Sequence, residues 1–144
     1  MRRILFAAVA LLMLAGLQSA RAEEPVGNWL TEGGKSRIRI ADCGGALCGT
    51  IAWLKEPNDP DTSKPKTDKN NSDAGKRSRP LIGVQIVLGM KPAGAGKWSG
   101  QVYNAEDGKT YSGSLTFTGG NSLVLQGCAL GGLVCKGQTW TKTN

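Results

Sequence analysis

From residue 26 onward the chain is a succession of eight short runs of β-forming residues, each ended by glycine or Asn/Asp turn chemistry. The runs cover residues 26–31, 36–41, 47–54, 81–90, 97–103, 109–117, 122–126 and 134–142. Arg37-Ile38-Arg39-Ile40 alternates strictly, which puts both isoleucines on one face and both arginines on the other. Val84, Ile86 and Leu88 alternate in the same way, as do Tyr111, Leu115 and Phe117, then Leu123 and Leu125. Glu32-Gly33-Gly34, Glu106-Asp107-Gly108 and Gly119-Gly120-Asn121 supply the turns. Runs at hairpin spacing with no 3.6-residue periodicity specify an all-β, antiparallel chain, either a sandwich or an up-and-down barrel. Glycines inside the runs (Gly49, Gly83, Gly100, Gly113, Gly127 and Gly137) favour the barrel, because they permit coiling and close approach, and closure removes exposed edges.

One stretch breaks this pattern. Residues 55–80 form a 26-residue polar segment whose single hydrophobic residue is Ala74, and they hold four of the six prolines. Residues 59–75 leave room for one short helical turn. Three strands before the segment are too few to stand alone, so it is a long connection within one barrel and not a linker between domains. Connections of this length are usually functional or disordered.

The first 22 residues read as a secretion leader: Arg2 and Arg3, an apolar run from Ile4 to Leu17, then Ala20-Arg21-Ala22 as a small-x-small site cleaved before Glu23. The apolar run is 14 residues, short of the roughly 20 that span a bilayer. Removing Arg2, Arg3 and Arg21 from the 18 Lys+Arg leaves 15 against 11 Asp+Glu, a net charge of +4 on residues 23–144. This is a mildly basic surface with interleaved acids and no aromatic stacking platform, so nucleic acid is not an expected partner. An exported monomer, periplasmic or extracellular, without a membrane span is the expectation.

Export makes disulfides the default for the four cysteines. Cys43 and Cys48 bracket one glycine-bearing turn, and Cys128 and Cys135 another. Local pairing, Cys43–Cys48 and Cys128–Cys135, is favoured over the two crossed connectivities, because a hairpin brings its flanking residues within bonding reach. A zinc site is disfavoured: the chain has no histidine and no CxxC spacing.

Several local motifs resemble one known family. They are Gly27-Asn28-Trp29, the Gly-x-Trp form that opens lipocalin-like barrels; Cys48-Gly49-Thr50-Ile51; and the Asn/Asp-rich loop ending Arg77-Ser78-Arg79-Pro80-Leu81-Ile82-Gly83. Trp98-Ser99-Gly100, Asp107-Gly108-Lys109-Thr110-Tyr111, Gly127-Cys128 and Gln138-Thr139-Trp140 complete the set. Together they resemble the domain of unknown function 2147 family of small exported bacterial proteins. The resemblance spans the chain after the leader, and implies a calycin-type, lipocalin-like barrel in the cell envelope with no established activity. Ala105 stands where the family pattern carries a proline before Asp-Gly-Lys, which loosens that turn.

Candidate sites are few. Arg77 and Arg79, two residues apart at the entrance to a strand, are expected to project to one side and to suit bidentate capture of a carboxylate or phosphate. Asp73 and Asn58 accompany them, and Trp98 and Tyr111 are taken as the aromatic edge of a barrel-mouth site. The structural alternative pairs Arg77 or Arg79 with Asp59, Asp61 or Asp73, pinning the segment across the mouth. Asp68 to Asp73 begins like a calcium loop but lacks the sixth-position glycine and the twelfth-position glutamate, so no metal is expected. Without histidine, a Ser-His or Cys-His nucleophile pair is absent, and no cofactor or catalysis is expected. The expected function is binding of a small anionic or amphipathic envelope molecule at the barrel mouth. The competing reading is a filled barrel that works through protein contacts in envelope maintenance; an interior cavity of a few hundred cubic ångströms separates the two.

Overall fold

A computed structural model of the chain describes residues 23–144 together with Gly16. The leader of residues 1–22, with its Ala22 cleavage end, lies outside the described residues apart from that glycine. Eight antiparallel strands close a barrel in chain order: β1 (Gly27–Leu30), β2 (Ser36–Asp42), β3 (Leu47–Leu54), β4 (Gln85–Pro92), β5 (Lys97–Asn104), β6 (Lys109–Thr116), β7 (Ser122–Ala129) and β8 (Val134–Thr143). The seam pairs β1 with β8 through Asn28↔Thr143, Trp29↔Lys142 and Leu30↔Thr141. No described residue therefore belongs to an open sheet edge of the kind that templates aggregation.

Alternation explains the interior. Ile38 and Ile40 are fully buried, while Arg39 is exposed and the Arg37 guanidinium lies 4.6 Å from the centre of the Trp53 ring. The two ends of the barrel differ. At the end where β1 starts and β8 finishes, Trp29, Trp140, Ile40, Met90, Leu115 and Leu123 are all buried to within 2 %. Trp29 meets Phe117 edge-on with ring centres 5.6 Å apart, and its indole N–H donates to the Pro25 carbonyl at 2.9 Å. Each such side chain contributes about 1.5–3 kcal/mol of burial, so this end is a sealed core.

Close approach inside the barrel accounts for Gly49 and Gly113. A Cβ on Gly49 would lie 2.8 Å from Val87 and 3.1 Å from Ile38, and one on Gly113 would overlap Val102. Both disulfides are local: Cys43–Cys48 staples the β2–β3 turn at the sealed end, and Cys128–Cys135 joins directly facing residues of β7 and β8 at the other.

The fourth strand differs from expectation. It begins at Gln85 instead of Leu81, and Gly83, at φ +102°, sits in the turn that precedes it. Burial falls on Val84, Val87 and Met90, with Ile86 and Leu88 only partly covered. Register shifts between Gly49 and Thr50 on β3, and between Leu88 and Lys91 on β4, break the alternation, since one extra residue exchanges the faces of all that follow. Among the described residues no helix is long and apolar enough to cross a membrane.

Candidate functional site

The polar segment 55–80 is organised around one buried charge. Asp68 is 1 % exposed, and its carboxylate accepts from four donors. Tyr103 Oη donates to Oδ1 at 2.6 Å, while Asn71 Nδ2 and Arg79 Nε each donate to Oδ2 at 2.9 Å. Arg79 Nη2 reaches the same oxygen at 2.8 Å, which makes an ion pair with a charge-assisted double contact. The backbone follows: Asp68 N–H donates to the Arg79 carbonyl at 3.0 Å, Leu81 N–H to Lys66 at 2.9 Å, and Thr67 bridges Pro80. Asn70 Nδ2 donates to the carbonyls of Ala105 and Glu106, tying the segment to the β5–β6 turn. Gly108 in that turn has φ +71°, and a Cβ there would overlap the Asn70 carbonyl oxygen. The Asp-Gly-Lys motif thus exists to let the segment dock.

Burial alone would raise the Asp68 carboxyl. The hydrogen bonds from Tyr103, Asn71 and Arg79, with the Arg79 charge, outweigh it and hold the group below its ordinary 3.8. Tyr103 is pushed up to about 12, first by burial and then by the carboxylate it bonds. Neither Asp59, Asp61 nor Asp73 pairs with an arginine. Asp59 bonds Lys69 at 3.3 Å, and Asp73 caps the short 3-10 turn Ala74–Lys76 by accepting from Gly75 N–H at 3.0 Å. Arg77 Nε donates to the Asn71 carbonyl at 2.8 Å. The two arginines leave that helical turn, not a strand, so the expectation that they project together is corrected. The segment packs on the outside of β5 through Tyr103 and on the β5–β6 turn, and none of its residues lines the barrel mouth.

Of the six residues singled out in the sequence, Arg79 and Asp73 line a groove of about 620 Å³ between the segment and the outer barrel wall, with Lys76 and Leu88. Arg77 stands beside it. Asn58 bridges Pro65 early in the segment, and Trp98 is buried in the sealed half opposite Leu115. Only Tyr111 reaches the barrel mouth.

That mouth opens into a second cavity of about 660 Å³ inside the barrel. Ile38, Ile51, Ile86, Val102 and Leu125 form its walls, and Trp140 lies at its floor with the indole N–H donated to Gln138 Oε1 at 3.0 Å. Gly127 leaves part of the wall bare: a Cβ there would meet only Tyr111, at 3.8 Å. The rim is polar and of mixed charge, with Lys35 and Lys136 against Glu32, Glu106 and Asp107. Tyr111 Oη donates to the Asp107 carboxylate; this bond lowers Asp107 and raises Tyr111 from their ordinary values. The chemistry of the site is therefore an apolar pocket under a ring of weakly committed polar groups. None of the rim residues except Tyr111 was legible as a site, since isolated turn acids and lysines are unremarkable. The one available signal was the apolar turn Leu130-Gly131-Gly132-Leu133-Val134 between two cysteines. Among the described residues no cluster of three metal-ligating side chains occurs.

No curated protein matches the chain. Among solved structures it is similar to Protein HP1028 from the human pathogen Helicobacter pylori, described as belonging to the lipocalin family. The TM-score is 0.70 at 24 % identity, over 84 % of each chain, a likeness that establishes the fold. The model of the family described as "Uncharacterized protein conserved in bacteria (DUF2147)" matches residues 27–142, all of the barrel but the last residue of β8, and the chain belongs to that family.

Proposed function

We propose that the barrel is a non-catalytic carrier or sensor that takes one small amphipathic molecule, apolar body inward and polar head at the rim. The observation that carries this reading is the open cavity of about 660 Å³, within the roughly 300–1,000 Å³ range of ligand pockets. Its walls are aliphatic, which suits an acyl or terpenoid body, and its two lysines and three acids suit a polar or zwitterionic head better than a simple anion. The fold of the lipocalin-family neighbour supports the same reading, as does the absence of histidine for catalysis. The two formed disulfides fit export to an oxidising periplasm, and the leader-like residues 1–22 agree with that location. The reading takes the protein as a monomer. Arg79 and Asp73 are assigned to a subsidiary polar groove on the flank, with Arg77 beside it; Asn58 and Trp98 are assigned to architecture.

Gly127→Phe tests the reading directly. A ring on this inward, unstrained strand position projects into the cavity and takes up space a ligand body would need. Titration with a dansyl-labelled fatty acid should give saturable binding to the wild type, weakened at least tenfold in the variant. Equal binding by both proteins sinks the calyx site. Native mass spectrometry of protein recovered from its own host then identifies the natural occupant.

A further inference from the structure

The β7–β8 turn stands beside the calyx mouth and carries three of the six large hydrophobic residues that are exposed among the described residues. Leu130 is 74 % exposed, Leu133 86 % and Val134 52 %. Burial elsewhere in the barrel is efficient, so a cluster of uncovered aliphatic side chains on one tip calls for a surface to receive it. The exposure is built into the backbone. Cys128 and Cys135 are bonded across the base of the turn, and Leu133 N–H donates to the Leu130 carbonyl at 3.3 Å. Leu130 itself holds φ +53°, a left-handed conformation that disfavours side chains of its kind, followed by Gly131 at +66° and Gly132 at +93°. A strained leucine presented outward by a stapled turn is a fixed feature of the fold.

We propose that this tip seats in the interfacial layer of a phospholipid bilayer and holds the barrel mouth against it. Area selects the occupant. Three side chains fall far short of the roughly 800 Å² per partner that a specific protein interface buries. A bilayer requires no shape-matched partner and accepts a protruding aliphatic tip alone. Charge selects the kind of bilayer. The neighbouring rim mixes Lys35 and Lys136 with Glu32, Glu106 and Asp107 and forms no basic cluster, so attachment is apolar and does not depend on anionic lipid. Continuity gives the contact its purpose. Ala129 and Val134 belong both to the turn and to the calyx lining, so the apolar tip adjoins the cavity directly. A tip in the bilayer thereby opens the cavity onto the acyl layer, from which an amphipath passes without crossing water. This last step rests on the proposed calyx function; the attachment does not.

Flotation with phosphatidylcholine vesicles, in the absence of any added ligand, tests attachment separately from calyx binding. The variant is Leu130→Asn with Leu133→Asn, since asparagine tolerates the left-handed backbone at the first position. The wild type is expected to float, and the double variant to lose at least tenfold in partition coefficient at unchanged melting temperature. Raising salt to about 0.5 M, where exposed charges are screened, is expected to leave wild-type binding intact. Val26→Asn, at an exposed apolar position on the sealed end, is expected to float as the wild type does. The proposal is overturned if the wild type fails to float, if the double variant floats equally well, or if Val26→Asn loses as much. It is also overturned if sedimentation shows the tip pairing two copies of the chain with no effect of lipid.

Discussion

The flank and the mouth of this barrel treat polar groups in opposite ways. On the flank, the most polar stretch of the sequence folds so that both oxygens of its one buried carboxylate are hydrogen-bonded, and its arginines serve backbone and Asp68. At the mouth, a thinly polar rim surrounds an aliphatic cavity, and side chains such as Lys136 and Gln138 face an open space. Density of charge in a sequence therefore marks where a loop must be held, while a site capable of recognition lies where the sequence looks ordinary. A buried, satisfied network is expensive to disturb and offers little to a ligand; a solvated rim with few internal partners is the reverse.

The sharpest way to break the contrast is Asp68→Ala. It strips the common acceptor from Arg79, Tyr103 and Asn71, and should lower stability by about 3–4 kcal/mol in chemical denaturation. Fatty-acid-probe binding should persist wherever the barrel remains folded. If the variant loses binding while stability holds, flank and mouth are one site. Gly108→Ala comes next. The left-handed backbone and the overlap with the Asn70 carbonyl should cost about 2–3 kcal/mol, read as a lower melting temperature and faster proteolysis within residues 55–80. Stability equal to wild type would show that the segment docks by another route.

Titration probes the same contact more gently. The folded Asp68 pKa lies below its ordinary 3.8, so its contribution is present above that value and is lost as pH falls through the depressed one. Tyr103 is raised to about 12, so its contribution is complete below the ordinary phenol value of roughly 10 and is lost as pH climbs from there. Melting temperature against pH should thus show an acid decline that Asp68→Asn makes shallower, with the lowered Asp59 and Asp107 supplying the remainder. An unchanged acid limb in that variant would assign the decline to other carboxylates. The smallest stability effect belongs to the mouth: Gly127→Phe should shift stability by less than about 1 kcal/mol while weakening probe binding at least tenfold.

Much of this architecture can be read from residues alone because it is local. The alternation of Ile38 and Ile40, the Glu106-Asp107-Gly108 turn and the two cysteine-bracketed hairpins each declare their conformation within a few positions. Strand β4 resists reading because its inward residues are set by bulges in pairing with neighbours, and Val84, Ile86 and Leu88 look perfectly alternating in isolation. The carboxylate that matters was hidden for a similar reason. Five acids share residues 55–80, and what distinguishes Asp68 is Tyr103, 35 positions away. Tyr103, near the end of β5, lines both the flank groove and the calyx mouth, and its hydroxyl finds a buried acceptor only because the segment supplies Asp68. The calyx rim is assembled from four separate turns and strand ends, which no single window of sequence contains.

The β1–β8 seam has a consequence for how the chain reaches this state. Closure joins residues more than a hundred positions apart, Asn28 to Thr143, so the barrel remains an open, curled meander until its last strand has been made available. Contacts of such separation are slow to form, because the entropy of ordering the intervening chain precedes the reward. During that interval β1 and β8 each present a bare edge, and partly folded material is vulnerable to edge-to-edge association. The hairpin disulfides involve partners only five and seven positions apart, and so can be in place before closure. One of them fixes β8 to β7 in register, leaving the final step as a single zippering of a short, four-residue strand against a prealigned partner. The stapled mouth hairpin is in this sense a template for completing the fold as well as part of its rim.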